Sequence, residues 1–227
     1  MITTMSCFVQ LYEKWENERD LKLLEMLHYN PDAKVVDLGC GKGDFTLKVK
    51  GRIDCKEIYG VDLWEDALIA ARNKGIKAKR MDLNEQLSFP DESFHVVVAN
   101  QVIEHLFFPS RFVQEVYRIL KENGYAVIST ENLSSWDNML SLLLGYTPFS
   151  MEFDSTKIGN PLSPHDGEKR GNYPSHVRIF TFRGLIDLLK LNGFKIEKIS
   201  ASGYLPFDFM ASFDPRHARF LTVKVEK

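Results

Sequence analysis

Cysteine is scarce in this 227-residue chain: Cys7, Cys40 and Cys55 are the three present. Their irregular spacing excludes a disulfide framework and a cysteine-based metal centre. No apolar run approaches the roughly 18 residues that a membrane-spanning helix needs. The first residues lack the charged, apolar, small-residue order of a secretory signal. Nor is there an excess of one charge. Twenty-nine lysines and arginines face 31 acids, a net charge of −2, which argues against a broad nucleic-acid footprint. Lys77, Lys79 and Arg80 are the nearest thing to a basic cluster, and a solvated strand edge accounts for them. The phosphate-cradling pattern Gly-x-x-x-x-Gly-Lys-Ser/Thr is missing, and no repeat or low-complexity tract occurs. These absences imply one globular domain, residues 1–227, in a reducing cytoplasmic setting.

What is present is an alternation of two periods. From Lys34 onward the pattern predicts strands over 34–38, 57–62, 77–81, 94–99 and 125–129. Helices are predicted over 44–50, 65–73 and 109–121, the last with Pro109 in its first turn. Such alternation implies a parallel sheet with helices on both faces. Residues 1–30 read as a helical lead-in, with a helix over 17–29 stopped by Pro31. Its aromatics Tyr12 and Trp15 are expected either to pack on the sheet or to fold over a ligand. After the fifth strand the rhythm breaks. Residues 131–178 hold four prolines (Pro148, Pro161, Pro164 and Pro174) and the aromatics Trp136, Tyr146, Phe149, Phe153 and Tyr173. A short helix over 138–144 and these aromatics suggest a packed cap inserted after strand five, with a role in substrate choice. The apolar run Met139-Leu140-Ser141-Leu142-Leu143-Leu144 reads as core packing or as a wall for an apolar acceptor. A helix over 182–191 and strands over 194–200 and 220–225 complete the pattern.

The stretch Val35-Val36-Asp37-Leu38-Gly39-Cys40-Gly41-Lys42-Gly43-Asp44 organises the rest. An apolar strand ends in an acid, glycines follow at alternate positions, and a helix begins. Gly39 and Gly41 fit a dinucleotide fingerprint, but its third glycine is replaced by Asp44, whose carboxylate would repel a pyrophosphate. Asp37 suits a ligand with an amino group or positive charge. Asp62 ends the second strand, where a carboxylate can accept from a ribose diol. Asp82 follows the third and could accept from an adenine amino group. Parallel strands bring the three acids to one sheet edge.

With these motifs the chain resembles the class I S-adenosylmethionine-dependent methyltransferases over residues 33–130. Gly60-Val61-Asp62, Met81-Asp82-Leu83, the run from Phe89 through Asn100 to Glu104-His105-Leu106, and Arg118-Ile119-Leu120-Lys121-Glu122-Asn123-Gly124-Tyr125 extend the likeness. Within the class it is most similar to the ubiquinone- and menaquinone-biosynthesis and small-molecule O-methyltransferase branch. Glu122 and Asn123 depart from the proline and glycine more usual there, which touches the turn and not the site. The resemblance implies a Rossmann-like α/β fold: a seven-stranded sheet, mostly parallel, with its last strand antiparallel. It implies S-adenosylmethionine as cofactor and S-adenosylhomocysteine as product. The glycine loop, with Asp37, Gly39 and Gly41, would face the methionine moiety. Asp62 would meet the ribose, Asp82 the adenine and Asn100 the sulfonium end, with Leu63, Leu83 and His105 also among the cofactor-binding residues.

Methyl transfer from a sulfonium is an in-line displacement with a neutral leaving group, so alignment is the main requirement. A base is needed only where the acceptor must lose a proton. His105 and His176 are the candidates, although a structural role for His105 fits as well. His165 reads as a loop residue, and His28, His95 and His217 as structural or exposed. No cluster shows metal-ligand spacing along the chain. The expected activity is transfer to a small-molecule acceptor, an oxygen slightly favoured. Protein or RNA methylation, a cofactor-binding scaffold that activates a partner, and, remotely, a dehydrogenase are the alternatives.

Overall fold

The structure is a computed structural model that describes residues 2–151, 159–163, 176–204 and 207–227, with backbone alone for 2–9. Phe153, His165 and Tyr173, singled out above, lie outside the described residues. The strands are β1 (Val35–Leu38), β2 (Ile58–Asp62), β3 (Lys77–Arg80), β4 (Phe94–Asn100), β5 (Leu120–Glu131), β6 (Lys195–Ser202) and β7 (Phe220–Glu226). They form a seven-stranded sheet in the order β3-β2-β1-β4-β5-β7-β6. Neighbours from β3 to β5 run parallel, and β7 runs antiparallel between β5 and β6. This is the sheet expected.

Side chains alternate across the strands, so each strand serves two cores. Val36, Leu38, Val97 and Ala99 face one side. There they meet Phe112, Val113 and Val116 of α4 (Pro109–Ile119) and Leu185 and Leu189 of α6 (Phe182–Leu191). Val35, Ile58, Val96 and Val98 face the other. They pack on Leu23 of α1 (Ile2–Glu25), Val49 and Ile53 of α2 (Asp44–Ile53) and Leu68 and Ala71 of α3 (Glu65–Asn73). The apolar continuity of β4 follows from burial on both faces. Among the described residues no helix is long and apolar enough to cross a membrane.

Several boundaries differ from expectation, most by one to three residues and three by more or in a telling way. The first helix begins at Ile2 and ends at Glu25, not at Pro31. Its last turn tightens where Met26 and Leu27 donate backbone N–H bonds to Leu23 and Leu24, both at 3.1 Å. The chain then leaves to place the Asn30 N–H 2.9 Å from the Ile53 carbonyl at the end of α2. Strand β5 starts five residues early, because Leu120 pairs with Phe94 before a register shift restores Tyr125 opposite Val96. The helix in the segment after β5 is α5 (Trp136–Leu143).

Candidate active site

Parallel strands end their carboxyl termini along one edge, and the sheet reverses its order between β1 and β4. Such a switch point opens a crevice. Here a cleft of about 180 Å³ is lined by Gly39, Asp62, Leu63, Trp64, Met81, Asp82, Leu83, Asn84, Gln101, Val102, His105 and Leu106. Six of the expected cofactor residues (Gly39, Asp62, Leu63, Asp82, Leu83 and His105) line it. Asp37, Gly41 and Asn100 are not among its lining residues.

The glycine turn is shaped by its neighbours. Gly39 has φ of 85°, and a Cβ there would lie 2.3 Å from a methyl of Val102. Its backbone N–H and that of Cys40 both donate to the Val61 carbonyl, at 2.7 and 3.0 Å. Gly41, at φ 50°, faces open space, with nothing within 4 Å of a Cβ position. The close approach a ligand needs is therefore available at Gly41.

Each oxygen of Asp62 accepts one backbone N–H, from Gly41 at 2.8 Å and Trp64 at 3.1 Å. Carboxylate oxygens have further acceptor capacity, so Asp62 can still accept from a group in the cleft. Asp82 builds a turn, its Oδ1 accepting the Asn84 N–H at 2.8 Å and the Asn84 side-chain amide at 3.0 Å. Asn84 in turn accepts the Phe107 N–H at 2.8 Å, which ties the β3 and β4 loops together.

Asp37 is buried and takes a hydrogen bond from the Thr46 hydroxyl at 2.6 Å. Burial pushes its pKa up to about 7; Thr46 lowers it, and Asp62 and Asp20 add to the rise. Asn100 accepts from the Ser129 hydroxyl at 2.5 Å and donates from Nδ2 to Asp20 on α1 at 3.0 Å.

Beside the cleft, the fold assembles a group that chain order hides. The Glu104 carbonyl accepts the N–H groups of Val177 at 2.8 Å and Arg178 at 2.9 Å. This clamp brings His176 against His105, their ring centroids 4.8 Å apart. One oxygen of Glu104 and one nitrogen of each imidazole lie within 4.8 Å of one another. That donor set is one a divalent ion could use, although no metal spacing is visible in sequence. Glu104 is buried, which pushes its pKa up to about 7, while His176 and the Thr130 hydroxyl, 2.9 Å away, draw it down. His176 Nδ1 lies 2.8 Å from the Ser150 carbonyl and 3.9 Å from Glu131.

Trp64, Met81, Asn84, Gln101, Val102 and Leu106 were not anticipated in the cleft. Asn84 had a signal, since Asp-x-Asn is a side-chain turn pattern. Gln101 sits at φ 56° because both its backbone N–H and its side chain are drawn to Ser129; nothing local announces this. His217 bonds Asp214 at 2.6 Å, and His95 accepts the Lys34 N–H at 2.8 Å, both remote from the cleft.

A parallel sheet with one antiparallel strand slotted between its last two is the fold of the class I S-adenosylmethionine-dependent methyltransferases. Residues 36–128 match the family model described as methyltransferase domain. The chain is 28% identical over 209 residues to a protein of Mycolicibacterium smegmatis described as a probable S-adenosylmethionine-dependent methyltransferase, covering 89% of this chain and 67% of that one. It is 30% identical over 183 residues to the mitochondrial ubiquinone biosynthesis O-methyltransferase of Rattus norvegicus, covering 77% of this chain and 48% of that one. It thus spans two thirds of the first relative and about half of the second. The fold matches a crystal structure of an S-adenosylmethionine-dependent methyltransferase from Mesorhizobium loti with a TM-score of 0.63 at 22% identity, covering 91% and 96% of the two chains.

Proposed function

We propose that this chain, acting as one methyltransferase domain, transfers the methyl group of S-adenosylmethionine to a hydroxyl of a small molecule. The paired imidazoles beside the cofactor cleft carry this reading. A ring nitrogen facing a carbonyl must be the protonated one, so Nδ1 of His176 donates to Ser150 and the basic nitrogen of the neutral ring is Nε2. A base at that position can take the proton an attacking hydroxyl must lose, and Glu104 and Glu131 stabilise the imidazolium that results. The name of the rat relative, an O-methyltransferase, supports oxygen as the acceptor atom. Buried thiols at Cys40 and Cys55 support a reducing, cytoplasmic compartment.

Binding and chemistry can be tested apart. Asp62→Ala removes a charge-assisted acceptor worth roughly 1.5–3 kcal/mol. Its affinity for S-adenosylmethionine, by calorimetry, should fall about ten- to a hundredfold; unchanged affinity refutes the cofactor placement. His176→Gln should leave that affinity intact and lower kcat for labelled methyl transfer to hydroxylated small molecules by about 10²–10⁴. Undiminished turnover would exclude His176 as the base.

A further inference from the structure

We propose that Asn84 is a positioning residue that relays occupancy of the adenine end of the cleft to the loop carrying His105 and, through that loop, to His176. The proposal rests on the cofactor reading above, with adenine beside Asp82. Asn84 lines the cleft together with Asp82, His105 and Leu106. Its side chain is engaged at both ends. The amide nitrogen donates to Asp82 Oδ1 at 3.0 Å, and the same oxygen accepts the Asn84 backbone N–H at 2.8 Å. The Asn84 Oδ1 accepts the N–H groups of Phe107 at 2.8 Å and Phe108 at 3.4 Å. An amide suits this bridge, since it donates to a carboxylate at one end while it accepts from the main chain at the other.

The far end of the bridge holds a segment that burial does not fix. Phe107 and Phe108 are 56% and 58% exposed. Pro109 follows and has no N–H, and α4 starts there without a side-chain cap from Phe108. Both N–H groups of residues 107–109 therefore converge on the one Asn84 oxygen. Just before them, the turn Ile103–His105 is closed by the His105 N–H on the Val102 carbonyl at 3.0 Å and the Leu106 N–H on the Ile103 carbonyl at 3.3 Å. Within that turn the Glu104 carbonyl accepts the N–H groups of Val177 and Arg178, the residues that follow His176. Hydrogen bonds and one short turn thus link Asp82, Asn84, Phe107, Glu104 and Val177 in sequence. The Asp82 carboxylate is exposed and lines the cleft. It keeps acceptor capacity beyond the two bonds from Asn84, so a donor on a bound adenine fixes its orientation. With Asp82 fixed, less freedom is lost in holding Asn84, and order passes along the line. Cofactor binding thereby completes the acceptor side before an acceptor arrives.

The test reads amide hydrogen exchange in the full chain with adenosine, which carries the adenine end without the sulfonium or the amino acid. At saturation, established by calorimetry, adenosine should slow exchange of the Phe107 and Val177 amides about fivefold or more, the lower end of ordinary coupling between sites. In Asn84→Ala, again at saturation, the slowing at both amides should fall below about twofold. Working at saturation separates a loss of affinity from a loss of the relay. Asn84→Asp gives a second reading, and decides the matter should Asn84→Ala fail to fold. Its carboxylate still accepts from Phe107 but repels Asp82. Ligand-free exchange at Phe107 should stay within about threefold of wild type while the response to adenosine falls below about twofold. Slowing that persists in the variants would overturn the proposal, as would a wild-type adenosine complex in which neither amide slows. Asp62→Ala keeps the two hypotheses apart. If it leaves adenosine affinity unchanged, the cofactor placement fails and the relay with it. If it weakens adenosine while the wild-type amides do not respond, only the role of Asn84 falls.

Discussion

Asp37 and Glu104 are buried carboxyls whose pKa values are each pushed up to about 7. In the unfolded chain both return to about 4. Between those values the folded state holds protons that the unfolded state has lost. Their contribution to stability is therefore complete below the unfolded pKa and disappears as pH rises toward 7. In the ligand-free protein, Asp37→Asn and Glu104→Gln should each flatten the fall of melting temperature between about pH 5 and 7 relative to wild type. Parallel curves for wild type and variants would refute the burial argument. A cationic ligand has the opposite effect on Asp37, since a nearby positive charge favours its ionised form. Binding of S-adenosylmethionine below about pH 7 should then release protons, read as a dependence of calorimetric enthalpy on buffer ionisation. Asp37, Asp62 and Asp82 were legible because acids at successive strand ends form a pattern. The hydrogen bond between Asn100 and Asp20 was not, since the two lie 80 residues apart in the chain.

The helices divide along the same line. Residues 65–73 and 182–191 were bounded correctly from sequence. The second begins with the Thr181 hydroxyl accepting the Gly184 N–H at 3.2 Å and stops at Asn192-Gly193, both local signals. The first helix was placed too late because its early part is supported from afar. Trp15 is 1% exposed and donates to Asp208 at 2.6 Å, and Tyr12 donates to Glu131 at 2.7 Å. Those contacts bury Tyr12 and Trp15 against Phe220 of the sheet, the packing outcome of the two expected for them. Trp15→Ala should cost about 3–5 kcal/mol in urea unfolding. A loss below about 1 kcal/mol would mean that the helix is docked by other contacts.

Across the whole molecule one buried cation joins segments that the sequence separates. Arg219, fully buried, pairs with Glu131 at 3.2 Å and Asp137 at 2.7 Å, and donates to the Asn138 side-chain Oδ1 at 3.2 Å. Through Glu131 it reaches Tyr12 of the first helix and the neighbourhood of His176. The first part of the expected cap is therefore built into the core and cannot be removed as a separable insertion. Arg219→Met should destabilise the protein by about 3–5 kcal/mol, because two carboxylates would be left buried without their cation. Denaturant unfolding measures this, and an unchanged midpoint would count against the network. The sequence by itself determined the sheet, its helices and the three strand-end acids, since period, turn chemistry and strand-end position are local properties of the chain. Only the tertiary structure decided that Asp20 faces Asn100, that His105, His176 and Glu104 share one corner, and that Arg219 binds the segment after β5 to the core. Contacts between residues far apart in the chain leave no period or spacing to read.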